Sequence, residues 1–252
     1  MSGSSKFDLA FGIGAACSCT AILRKANLQH QSNPLDWLYG TDFEGRVNLL
    51  VNEFENFINK EDLEFAGQRE NPEPCDVYYN KFNDITFNHD FPISTPLDAS
   101  YNAVFEKYQR RIKRLLSNLD NAQRILIVYI ETPNCLTKIN DNQTLLDNYN
   151  KIVNKYKGKD ITLLYFTRDE NIPTLQEEFV SENIIKVIGD YKCKTEGVVD
   201  YAVDSEILIN YMKQYKLNLP LSFWVKKIIL GFLVKLIPIK KYRKQLRSKY
   251  HV

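Results

Sequence analysis

Residues 13–19 read Ile-Gly-Ala-Ala-Cys-Ser-Cys, a glycine turn that delivers two cysteines to the start of a helical pattern. A thiol at a helix N-terminus faces unpaired backbone N–H groups and the positive end of the helix dipole, which stabilise its thiolate. Cys17 is therefore a candidate nucleophile, with a lowered pKa expected from this position alone. The turn residues Gly14, Ala15, Ala16 and Ser18 are candidates for an oxyanion hole, or for contact with a phosphate. The dinucleotide fingerprint needs a third glycine and the P-loop a Lys-Ser/Thr pair, and residues 12–17 have neither. The competing reading is that cysteine packs as a small hydrophobe; it suits Cys19, two residues further along, better than Cys17.

A thiol nucleophile needs a base, and the chain has three histidines, His30, His89 and His251. His251 is the penultimate residue of a basic tail. His89 follows an apolar alternating run and precedes Asp90, so it is the candidate base, with Asp90 or Asp36 as the carboxylate that orients it. Neighbouring side chains on a strand point to opposite faces, which weighs against Asp90 in that role. A hydrogen-bonded structural histidine is the alternative for His89.

These residues must be held by something. Four apolar runs, 7–13, 124–131, 160–167 and 184–189, have strand length and no polar face, as buried parallel strands do. Helical patterns lie between them: 96–119 repeats Tyr101, Val104, Phe105, Tyr108, Ile112 and Leu115 at steps of three and four, and 142–158 repeats Leu145, Tyr149, Ile152 and Tyr156 before Gly158. Strand and helix alternate, predicting an α/β fold with a mainly parallel, three-layer sheet. Residues 41–95 break the rhythm, with a helix expected over 45–60 and a hairpin over 75–91, inserted between the first strand unit and the later ones. The spacing predicts one α/β domain over 1–212, closed by a short helix near 205–217, and a basic amphipathic tail over 213–252.

Three blocks carry a resemblance. Ile13-Gly14-Ala15-Ala16-Cys17, Ser32-Asn33-Pro34-Leu35-Asp36-Trp37 and Phe87-Asn88-His89-Asp90-Phe91 resemble the Leu-Gly-x-x-Cys, Ser-x-Pro-Phe-Asp-Trp and Phe-x-His-Asp-Phe blocks of a bacterial family of putative papain-like cysteine peptidases. Ile13 and Leu35 are the departures. The resemblance covers about residues 7–95 and implies Cys17 as nucleophile, His89 as base and Asp36 or Asp90 as orienter. It also implies a cysteine on a helix and a histidine on an antiparallel sheet, whereas the alternation after residue 96 implies a parallel sheet. The alternation is the guide to architecture here.

With 44% apolar and 25% charged residues the chain has the make-up of an ordinary globular protein, not of a disordered or collagen-like one. Five cysteines without framework spacing and a short polar opening, MSGSSK, point to a reducing, cytoplasmic setting without a signal peptide. No metal is expected, because no CxxC or HxxxH spacing occurs, and no cofactor is expected either. The eleven Lys and Arg after residue 212 meet no acid, leaving 22 basic against 31 acidic residues before them.

Such asymmetry gives the tail its own role. Its apolar stretch, 223–237, is interrupted by Lys226, Lys227 and Lys235 and is shorter than the ~20 apolar residues of a membrane span. It suits a helix lying in the interface, with Phe223, Trp224, Ile228, Phe232 and Leu236 toward lipid. Lys240, Lys241 and Arg243 would add attraction to anionic head groups, making the inner membrane face the expected partner; nucleic acid is not expected, the body being acidic. The leading reading is a cysteine hydrolase or acyltransferase with an unidentified acyl or glycan substrate. The tail resembles those of bacterial enzymes of surface-polysaccharide assembly. The alternatives are a transferase for nucleotide-activated or lipid-linked glycan, and a non-catalytic membrane-associated binding protein.

Overall fold

The computed structural model describes residues 6–70, 73–131, 141–191, 205–235 and 237–238. The chain opens with β1 (Lys6–Phe7), β2 (Leu9–Gly12) and α1 (Cys17–Lys25), then β3 (Leu38–Gly40) and α2 (Phe43–Val51). Three strands follow, β4 (Leu63–Arg69), β5 (Cys75–Asn80) and β6 (Ile85–Pro92), and then the long α3 (Leu97–Asn121). Strand and helix next alternate through β7 (Arg124–Ile130), α4 (Asn142–Lys155) and β8 (Asp160–Arg168), and β9 (Gln176–Ser181) turns back into β10 (Ile184–Gly189). The last elements are α5 (Glu206–Met212), β11 (Lys216–Leu217) and α6 (Leu221–Lys235).

The four apolar runs supply the four parallel strands of a five-stranded sheet ordered β2-β7-β8-β10-β9. Their lack of a polar face has a direct cause: alternate residues enter different cores. Ile125, Ile127, Tyr129, Leu163 and Tyr165 join Val47, Leu50, Leu115 and Ile152 of α2, α3 and α4. Leu126, Val128, Ile130, Leu164 and Phe166 join Ile22, Leu23, Leu208 and Met212 of α1 and α5. The fifth strand, β9, runs antiparallel to β10 and is largely exposed, so it lacks the apolar signature of the others.

Residues 41–95 hold more than a hairpin. β3, β6, β5 and β4 form a four-stranded antiparallel sheet in that order, with Leu38 opposite Phe87. The helix expected over 45–60 occupies only Phe43–Val51, capped by Asp42, whose Oδ1 accepts from Gly45 N at 2.8 Å. Left-handed backbone at Glu53, Phe54 and Asn56, with φ of 54°, 60° and 54°, ends it. At the other end of the chain, β11 pairs in parallel with β1, and Asn218 N donates to Phe7 O at 2.7 Å. The segment leading into α6 is thereby fastened to the beginning of the chain.

Candidate active site

The Cys17 turn continues the parallel ladder past the end of β2. Ile13 N donates to Val128 O at 2.8 Å and Ala15 N to Ile130 O at 3.2 Å, so the turn emerges at the C-terminal edge of the sheet, where ligand sites of such sheets form. Gly14 is needed for close approach: a Cβ there would stand 2.4 Å from Cys19 Cβ and 3.1 Å from Ile130 N. Ala15 and Ala16 are buried, and Ala15 O accepts from Nη2 of the fully buried Arg46 at 3.1 Å, which also donates to Gly40 O at 2.8 Å. That guanidinium staples the turn to the end of β3.

Helix α1 begins at Cys17, with Ala16 extended before it and no side chain capping its N–H groups. The first N–H groups of a helix lack intrahelical acceptors; Ser18 is fully buried, so the N–H of the partly exposed Cys17 is the one placed to meet a developing oxyanion. The two cysteines differ as their positions imply. Cys19 is fully buried against the sheet, its Sγ donating to Val128 O at 3.4 Å, and burial pushes its thiol up to about 12. Cys17 is only partly buried. Ser18 is buried, with an Oγ that has no hydrogen-bond partner among the described residues.

His89 reaches the site through an irregularity in its strand. Tyr78 pairs with Phe87 and Asp76 with Phe91, so Asn88, His89 and Asp90 together face the single residue Val77. Such a bulge re-aims side chains. His89 turns toward Trp37, whose ring lies edge-on at a centroid distance of 5.9 Å. Asp90 turns toward α3, where Oδ1 takes Lys107 Nζ at 2.5 Å and Oδ2 takes the Tyr108 hydroxyl at 2.8 Å.

Neither carboxylate is hydrogen-bonded to the imidazole in this structure. Asp36 is buried and fastens its own loop, accepting from Gln29 Nε2 and Asn33 N, both at 2.6 Å, with Arg24 Nη2 at 4.0 Å. The partner of His89 is instead Arg69, at the end of β4, whose Nη1 lies 3.2 Å from His89 Nε2. A guanidinium can only donate, so Nε2 accepts and the neutral ring carries its proton on Nδ1. Arg69 is held by Glu73 O, which accepts from Nε at 3.3 Å and Nη2 at 3.0 Å. A second bulge places it: Ala66 is extra between Phe65 and Gly67, and Gly67 adopts φ of 113°, which puts Arg69 opposite Cys75. Cys75 is buried and donates to Asn88 O at 2.9 Å, tying β5 to the His89 bulge.

The electrostatics correct one expectation. Burial raises the Cys17 pKa, outweighing its own backbone amide and the charge of Arg69, which both pull it down. The helix start therefore does not yield a lowered thiol pKa here, because the sulfur has lost water. His89 is held below its usual value by burial first and by Arg69 second. At neutral pH the pair is a neutral thiol and a neutral imidazole, with Arg69 as the cation acting on both and no hydrogen bond between them in this arrangement. Arg69→Gln should raise both pKa values, since the cation favours thiolate and disfavours imidazolium. Histidine NMR titration and iodoacetamide labelling of Cys17 across pH check this; shifts in opposite directions would rule Arg69 out as the common neighbour.

Arg69 had no signal in the sequence, because its position depends on a bulge and on pairing across β4 and β5. On α6, Ile228 and Phe232 are exposed by 70% and 67%, and Leu221, Ile229 and Leu233 are exposed as well. Phe223 is partly buried, its ring 4.8 Å from that of His30. Lys235 is exposed, while Trp224, Lys226 and Lys227 lie in the helix. Leu236, Lys240, Lys241 and Arg243 lie outside the described residues. Among the described residues no helix is long and apolar enough to cross a membrane.

A family model described as "Putative papain-like cysteine peptidase" matches residues 8–171, which include Cys17, Asp36, Arg69, His89 and Asp90. No curated protein and no solved structure matches the chain.

Proposed function

Because the chain belongs to the family of putative papain-like cysteine peptidases, we propose that Cys17 is the nucleophile and His89 the general base of a hydrolase acting on an acyl group held as an amide, ester or thioester. The observation that carries this reading is the shared neighbour: Arg69 hydrogen-bonds His89 at 3.2 Å while its charge acts on Cys17. Two blocks far apart in the sequence thus share the influence of one cation.

The mechanism starts from the neutral pair. Substrate draws Arg69 off Nε2, and the freed nitrogen takes the Cys17 proton as sulfur attacks the carbonyl carbon. The oxyanion lies at the backbone N–H of Cys17, at the start of α1. The imidazolium then returns its proton to the departing amine, alcohol or thiol, leaving a thioester on Cys17. Water, deprotonated by His89, releases the acid; another acyl acceptor in place of water would make the enzyme an acyltransferase. With no carboxylate on Nδ1 among the described residues the machinery is read as a dyad, and Asp36 and Asp90 serve to hold the loop and the bulge.

Turnover of a panel of N-acyl amino acid amides, esters and thioesters tests the reading. Hydrolysis should persist below the usual histidine pKa of about 6.5, because the depressed His89 stays unprotonated there. It should stop when iodoacetamide has labelled Cys17. Turnover that survives complete labelling of Cys17 would remove the proposal.

A peripheral membrane role for α6 is a second part of the proposal, favoured by the exposed Ile228, Ile229, Phe232 and Leu233 on a helix with no acid. Such a helix buries its apolar face at the head-group boundary. The full chain should float with anionic vesicles and a chain ending at residue 220 should not. Equal flotation of both forms would end this part of the reading.

A further inference from the structure

Lys107, Arg110, Arg111 and Arg114 share one face of α3, and with residues 30–32 they bound a cavity of about 350 Å3. No carboxylate lines it among the described residues. Lys107 is matched by Asp90 at 2.5 Å, and Arg110 reaches Glu106 at 3.7 Å. Arg111 and Arg114 have no such partner among the described residues. The Arg111 guanidinium lies over the Tyr108 ring at 5.1 Å, and its buried Nη1 has no acceptor among the described residues. Arg114 Nη2 donates to Ser32 O, but its buried Nε likewise has none. Burial and the charges of Arg111 and Arg110 lower the Arg114 pKa, against the opposing pull of Asp36. Two guanidiniums thus stand beside one polar cavity with no carboxylate in contact among the described residues.

We propose that this cavity binds the phosphate group of a phosphomonoester. A dianion balances the two arginines, where a carboxylate would leave one over. The planar guanidinium fork matches phosphate oxygens with paired hydrogen bonds, and these are the strong, charge-assisted kind. The cavity is large enough for the phosphate and the first polar atoms of whatever carries it. Two carriers share this chemistry, a soluble phosphate ester and a phospholipid head group. Phe223, near the start of α6, packs on His30 at the cavity wall, so a lipid surface under α6 would lie beside the site. The site itself depends on neither the Cys17 reading nor the membrane one.

The test uses the full chain with glycerol 3-phosphate in calorimetry, and with phosphatidylcholine vesicles with or without phosphatidic acid in flotation. Arg111→Gln removes a charge that no acceptor among the described residues holds, and Arg110→Gln removes an exposed one, so folding is preserved in at least one variant. Binding of glycerol 3-phosphate assigns the soluble ester; phosphatidic-acid-dependent flotation without it assigns the head group. In either case the variants should weaken binding about tenfold or more, the usual worth of a hydrogen bond to a charged group. Failure of both probes to bind the wild-type chain, or binding by both variants as strong as wild type, would overturn the proposal.

Discussion

Cys17→Ala should reduce acyl hydrolysis by about a thousandfold or more while leaving the fold intact. Removal of a nucleophile eliminates the covalent route, and what survives comes from binding and oxyanion stabilisation alone. The side chain is small, partly exposed and without a hydrogen bond to the core among the described residues, so unfolding in urea should differ from wild type by no more than about 1 kcal/mol. Cys19→Ala inverts the pattern. It removes a fully buried thiol that donates to Val128 O, which costs stability while the reacting atoms stay in place. Steady-state kinetics and urea melts of the two variants separate chemistry from packing within one turn of helix.

Asp36→Ala should destabilise the protein by about 3 kcal/mol, the usual loss when one partner of a buried charged network is removed. The carboxylate is buried and holds Gln29 Nε2 and Asn33 N at 2.6 Å each, and Arg24 lies at 4.0 Å. Alanine leaves one Gln29 Nε2 N–H and the Asn33 backbone N–H without an acceptor, while the other Gln29 N–H still reaches Gln31 O at 2.9 Å, and it deprives Arg24 of an opposing charge at 4.0 Å. Asp36→Asn keeps the shape and one acceptor oxygen, and should cost less. A urea melt checks the magnitudes, and the histidine titration separates two roles for this residue. An orienting carboxylate would move the His89 pKa when neutralised; a loop anchor leaves it in place, which is the expected result for Asp36→Asn.

Much of the parallel sheet was legible because its strands are buried on both faces. Runs such as Arg124–Ile130 show no polar alternation, and alternate residues feed two cores. β9 carries no such signature because an exposed edge strand, Gln176–Ser181, needs no apolar pattern. The tension between a histidine on an antiparallel sheet and an alternating α/β pattern dissolves in the structure: both sheets exist, with His89 on one and the Cys17 turn at the edge of the other. The short helix at Phe43–Val51 shows the limit of periodicity, since Phe54, Phe57 and Ile58 are buried as a helix would bury them, yet the backbone at 53, 54 and 56 is left-handed.

The site divides along the same line. Cys17 at the start of α1 follows from glycine and small residues after an apolar run. The separate fates of His89 and Asp90 follow from strand alternation, sharpened by the bulge opposite Val77. Arg69 does not follow, because its place twenty residues before His89 becomes a contact only through strand pairing and a left-handed glycine. The direction of the Cys17 pKa was also hidden, since position on a helix is visible in a sequence and loss of water is not.

The most direct measurement is the rate at which p-nitrophenyl acetate acylates the chain near neutral pH, followed as a burst of p-nitrophenolate and located by peptide mass spectrometry. Wild type should carry one acetyl group on Cys17, and His89→Ala should acquire it about a hundredfold more slowly, the typical worth of a general base. Equal burst rates in the two proteins, or an acetyl group on any other residue of the wild type, would contradict the assignment of Cys17 and His89 as nucleophile and base.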